Sequence, residues 1–148
     1  MTAPAPRAGR LIETADDVRA LLERARRIAV LGIKTDPSQP AYYVPQYAQR
    51  AGYEVVPVPV YYPDVTEILG QPVYRRVADV PGTVDIVNVF RRPKDVPPHL
   101  DDILAKRPGA VWMQLGIRHD DAARQLTDAG IDVVQDRCLL VDLRRIGR

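Results

Sequence analysis

Cysteine, histidine and large aromatics are scarce in this chain, and each scarcity removes a class of chemistry. It has one cysteine, two histidines, one tryptophan and one phenylalanine in 148 residues. Cys138, alone, cannot form an internal disulfide. His99 and His119 stand far apart, whereas structural zinc sites pair Cys or His within a few residues, so no metal site is readable. An excess of one charge is also missing: 21 basic residues against 19 acidic ones leave +2. A chain that binds nucleic acid or anionic membranes concentrates one sign on a face, so neither partner is expected. The longest run without Asp, Glu, Lys or Arg, Pro37 to Gln49, falls short of the roughly 20 residues a spanning helix needs. Met1 to Arg10 has Arg7 and Arg10 but no apolar run after them, unlike a secretory signal, and the cytoplasm is the expected location. GxGxxG, Walker and GxSxG motifs are absent, as is an acid pair beside a histidine. No catalytic constellation results.

What is present is an alternation of apolar runs and helical segments. The length predicts one domain, with a loose Ala/Pro-rich tail over residues 1–10 and the folded domain over 11–148. Thr14 can cap a helix, Asp16 and Asp17 suit its positive end, and Val18, Leu21, Leu22 and Ala25 form its apolar stripe. Ile28–Gly32, Tyr53–Val58, Val84–Phe90, Ala110–Leu115 and Ile131–Gln135 read as strands. Several are apolar at consecutive positions, which implies burial on both faces and hence a parallel sheet covered by helices. Ala41–Ala51, Asp95–Lys106 and Asp120–Ala129 read as the helices between them, with a short helix near Arg75–Asp79. Gly52 and Gly130 fall where left-handed C-terminal caps belong. Strand–helix alternation gives an α/β fold with right-handed crossovers. Proline is 14 of 148 residues, about twice the usual share, and stiffens the connections.

In such sheets a ligand lies beyond the carboxyl ends of the strands. That rule selects Gly32–Pro40, Pro59–Pro63, Phe90–Lys94 and Gly116–His119. Gly32 between a strand and a helix N-terminus makes a pocket for an anion, or an ordinary tight turn. Arg91 and Arg92 follow a buried strand and suit phosphate, or form a solvated pair. Gln114 could bond a ligand or a neighbouring loop, while Trp112 and Met113 read as core. His99 and His119 read as surface or capping groups, and Cys138 as a small buried hydrophobe despite the adjacent Arg137.

The pieces Val30-Leu31-Gly32, Pro40-Ala41-Tyr42, Glu67-Ile68-Leu69-Gly70, Val73-Tyr74, Val87 through Arg92, Val111 through Gly116 and Asp136-Arg137-Cys138 together resemble the stand-alone CoA-binding protein family. Those proteins look like the N-terminal CoA-binding domain of the succinyl-CoA synthetase α subunit. The resemblance covers about Ile28 to Leu140. It implies a Rossmann-like, doubly wound, five-stranded parallel sheet in three layers, with coenzyme A or an acyl-CoA over the strand ends. It carries phosphate contacts to Gly32, Ile33, Lys34 and Thr35, with Ala41 and Tyr42 at the helix start. Val58, Pro59 and Val60 would flank the nucleotide; Phe90, Arg91, Arg92, Gln114, Leu115 and Gly116 would border the rest. Many relatives carry serine at Lys34 and an arginine-proline-serine-tyrosine run at Gln39–Tyr42, so here Lys34 would supply the loop's charge and Thr35 a hydroxyl. The synthetase's phosphorylated histidine belongs to a part not matched, which implies binding without the ligase reaction. A nicotinamide-dinucleotide binder, such as a redox sensor, and an interaction module with a vestigial cleft are the alternative readings.

Overall fold

The computed structural model describes residues 7–148. Five strands form one parallel sheet in the order β2-β1-β5-β6-β7. They are β1 (Arg27–Leu31), β2 (Glu54–Val58), β5 (Ile86–Val89), β6 (Ala110–Met113) and β7 (Asp132–Val134). A two-stranded antiparallel hairpin, β3 (Glu67–Ile68) with β4 (Gln71–Pro72), lies within the connection from β2 to β5. All five expected strands are found, four of them trimmed at their ends and the first shifted back by one residue. In the three central strands nearly every residue is buried, because both faces are covered.

One face carries Ile28, Val30, Val55, Ile86 and Trp112. It packs on α1 (Ala15–Arg24), α2 (Pro40–Arg50) and α5 (Leu139–Arg145) through Leu21, Leu22, Val44, Ala48, Leu139 and Leu143. The other carries Ala29, Leu31, Val87, Val89, Val111 and Met113, and meets α3 (Leu100–Lys106) and α4 (Asp120–Asp128) through Ile103, Ala123 and Leu126. The result is the expected three-layer α/β domain. Thr14 caps α1 by accepting the Asp17 N–H at 3.1 Å. Gly52 and Gly130 take positive φ after α2 and α4, as their positions predict.

Three local expectations are corrected. The helix over Asp95–Lys106 shrinks to α3, preceded by single turns at Pro93–Asp95 and Pro97–His99, because Pro97 and Pro98 have no N–H to continue a helical ladder. The helix near Arg75–Asp79 is one turn, Val77–Asp79, whose first N–H groups are held by the Asp102 carboxylate at 2.7 and 2.8 Å. α5 was not expected at all. Of the tail expected over residues 1–10, Met1–Pro6 lie outside the described residues. Gly9 and Arg10, however, are tied down: the Gly9 N–H donates to Thr127 and the Arg10 carbonyl accepts from Val133 beside β7.

Candidate functional site

The chain leaves β1 for one side of the sheet (β2) and returns to the other (β5), so the topological switch lies between β1 and β5. A cleft of about 460 Å³ opens there, beyond the carboxyl ends of the strands. Two strand ends approach closely beside it. Gly32 follows β1 with φ +88°, and a Cβ on it would sit 2.4 Å from the carbonyl oxygen of Phe90, a lining residue. Only glycine suits that position, both for its backbone angle and for its proximity to β5.

One wall is the β1–α2 connection, contributing Lys34, Gln39, Pro40, Ala41, Tyr43 and Val44. Gln39 is the N-cap of α2 but its side chain bonds nothing in the helix. Among the described residues the N–H groups of Ile33, Thr35 and Ala41 have no hydrogen-bond partner, and Lys34 forms no ion pair. Pro45 inside α2 cannot donate to the Ala41 carbonyl, and the Lys34 N–H takes its place at 3.1 Å, tying the loop to the helix. Asp36 and Ser38 close the loop's own turn: the Asp36 carboxylate accepts from the Ser38 N–H and hydroxyl at 2.9 and 2.8 Å. Those bonds hold its carboxyl below the ordinary carboxylate range.

The opposite wall comes from the loops after β5 and β6, with Cys138 at the start of α5. Here the polar side chains are bonded, although Gln114 Nε2 and the main-chain N–H groups of Arg91, Arg92 and Leu115 have no partner among the described residues. Arg91, mostly buried, donates from Nε to His99 Nε2 at 3.2 Å and from a terminal nitrogen to the Tyr61 hydroxyl at 3.4 Å. Its guanidinium also lies over the Tyr61 ring at 5.7 Å and reaches Asp95 at 4.0 Å. The hydrogen bond from Arg91, then its charge, lowers the Tyr61 pKa. Burial, then the Arg91 charge, pushes His99 below its ordinary value and favours the neutral ring. Arg92 is exposed and pairs with Asp95 at 2.8 Å, which lowers the Asp95 pKa. Gln114 is buried; its Oε1 accepts from Asn88 Nδ2 and from the Leu139 N–H, both at 3.3 Å. The Gly116 N–H donates to Asp136 at 2.6 Å, and Trp112 Nε1 to the Arg137 carbonyl at 2.8 Å. These bonds bind the β6 and β7 loops to each other.

Of the residues singled out in the sequence, the cleft gathers Lys34, Ala41, Phe90, Arg91, Arg92, Gln114, Leu115 and Gly116. Gly32 is not in the lining but abuts Phe90, which is. Ile33 turns its side chain into the core and offers only its main chain, while Thr35 is exposed and outside the lining. Tyr42, within α2, packs against the core, and its neighbour Tyr43 lines the cleft instead. Val58, Pro59 and Val60 are not in the lining: Val58 is fully buried, Pro59 is buried and Val60 packs against the core. The β2 connection reaches the site one residue later, through Tyr61 and Arg91. Pro93 and Ile117 line the cleft from segments the strand-end rule selects, whereas Tyr43, Val44 and Cys138 are lining residues outside those segments. His119 is a cap, accepting the Ala122 N–H of α4 at 3.1 Å, and Trp112 is core.

The family model described as "CoA binding domain" matches residues 26–144. The chain is 33% identical over 125 residues to the uncharacterized protein YneT of Bacillus subtilis (strain 168), covering 84% of this chain and 90% of that protein. The structure of cell-free ID.343 from Thermus thermophilus superimposes with a TM-score of 0.84 at 44% identity, over 90% of this chain and 99% of that one. A hypothetical protein from Pyrococcus horikoshii OT3 gives 0.83 at 29% identity, over 99% of both chains.

Proposed function

This chain belongs to the CoA-binding domain family, and from that premise we propose that it holds coenzyme A, or an acyl-CoA, in the cleft at the β1/β5 switch. The observation that carries the reading is the pairing of two unlike walls. The β1–α2 connection has N–H groups without partners at Ala41 in the wall and at Ile33 and Thr35 outside the lining, together with the positive end of a helix and the Lys34 ammonium. Those groups suit the pyrophosphate and 3′-phosphate of CoA. Arg91 and Arg92 add guanidinium charge across the opening. The apolar and amide groups toward Gln114, Leu115, Ile117 and Cys138 suit the uncharged pantetheine arm.

In this reading the chain is a binding protein rather than a ligase. His99 and His119, the two histidines, are both engaged, one by Arg91 and one as a helix cap. Native mass spectrometry of freshly purified protein, followed by calorimetry with CoA, acetyl-CoA and NAD, tests the reading. Tighter binding of CoA or acetyl-CoA than of NAD is expected; equal or stronger NAD binding would overturn it.

A further inference from the structure

Asn88 is a polar side chain in the central strand, where every other strand residue is apolar. It is fully buried, with Val30 and Trp112 as its partners on the adjacent strands. Its Nδ2 donates to the Trp112 carbonyl and to Gln114 Oε1, each at 3.3 Å, but its Oδ1 has no partner. A buried amide with an orphaned oxygen destabilises a fold relative to a leucine of similar volume. Packing therefore gives no reason for asparagine at this position. Its one side-chain partner, Gln114, is a residue of the cleft.

We propose that Asn88 is a positioning residue that fixes the Gln114 amide with its NH2 toward the cleft, making a neutral donor for a carbonyl oxygen of CoA's pantetheine arm. Gln114 Oε1 receives two donors, Asn88 Nδ2 and the Leu139 N–H. Rotating the amide by half a turn would set its NH2 against both, so the oxygen stays inward. That leaves Nε2, which has no partner among the described residues, on a side chain that lines the cleft. An uncharged, fixed donor selects an amide or thioester carbonyl. The phosphates are matched instead by Lys34, the arginines and the free N–H groups. Because the ligand is CoA only under the function proposed above, the test separates the two claims.

Calorimetry would compare CoA with adenosine 3′,5′-bisphosphate, which carries the nucleotide end and lacks the arm. Asn88→Leu and Gln114→Met are each expected to lose about tenfold in CoA affinity and nothing in bisphosphate affinity. The melting temperature of Asn88→Leu is expected not to fall. The double variant should lose no more than Gln114→Met alone, since Asn88 acts through Gln114. If Asn88→Leu does not fold, Asn88→Ser, too short to reach Gln114, takes its place. Unchanged CoA affinity, parallel loss of both ligands, or additive losses in the double variant would each overturn the proposal. Failure of the wild-type protein to bind CoA would instead overturn the function itself.

Discussion

The two walls of the cleft are built alike, each from a strand end and a turn, yet their polar side chains are in opposite states. On the β5–β6 wall Arg91 is held by Tyr61, His99 and Asp95, Gln114 by Asn88 and Leu139, and Gly116 by Asp136. On the β1–α2 wall Lys34 forms no ion pair and the Gln39 side chain no hydrogen bond among the described residues, while main-chain N–H groups lack partners on both walls, at Ile33, Thr35 and Ala41 here and at Arg91, Arg92 and Leu115 opposite. The difference separates two tasks. Bonded side chains lose their conformational freedom on folding and so can read the shape and polarity of a ligand. Free donors cannot read shape, but they can neutralise an anion that arrives with its own charge.

Breaking the seam between the walls should have the largest effect. Gly32→Ala forces a Cβ against the Phe90 carbonyl at positive φ, and is expected to cost at least about 3 kcal/mol of stability in urea denaturation. An unchanged midpoint would show that the strand ends can separate freely. Next is the bonded wall. Arg91→Ala should weaken CoA binding by about 2–3 kcal/mol, the range for a charged hydrogen bond in a partly buried site. Arg91→Lys should recover little of it, because an ammonium cannot serve Tyr61, His99 and a ligand together. Full recovery in calorimetry would make Arg91 a mere point charge. On the open wall, Lys34→Ala should cost roughly 1–2 kcal/mol at low salt. That loss should shrink as salt rises while the Arg91 loss changes little, since exposed charges are screened more. Equal salt dependence would erase the contrast between the walls.

The smallest effect concerns pH. Burial and Arg91 keep His99 neutral below the ordinary value of 6.5, where the unfolded chain already takes up a proton. Its contribution to stability is therefore complete above about 6.5 and is lost as pH falls through the lowered folded-state value. Thermal melts of the wild-type protein should decline in that window more steeply than those of His99→Gln. Identical slopes would show that His99 does not titrate differently on folding.

The sheet was legible in the sequence because strands buried on both faces must be apolar at consecutive positions, as Ile28–Leu31 and Val111–Met113 are. α5 was not, since seven residues give too short a periodic signal, and its packing against α2 is a tertiary fact. The site was legible as a set of loops but not as side-chain directions. Tyr42 and Tyr43 are equivalent in sequence, and only the helix register sends one to the core and the other to the cleft. Val58–Val60 follow a strand end as the other loops do, but their side chains pack inward, and Tyr61 makes the contact. Asn88 did leave a signal, a lone amide within the apolar run Ile86–Val89. Its link to Gln114 depends on strand pairing that the sequence alone does not specify.

The most direct test of a ligand held between an open and a bonded wall is an amide-resolved NMR titration of the wild-type protein with CoA. The main-chain signals of Ile33, Thr35 and Ala41 and the side-chain NH2 signal of Gln114 are predicted to shift together, at one saturation curve. Shifts confined to one wall, or found away from the β1/β5 switch, would contradict the account.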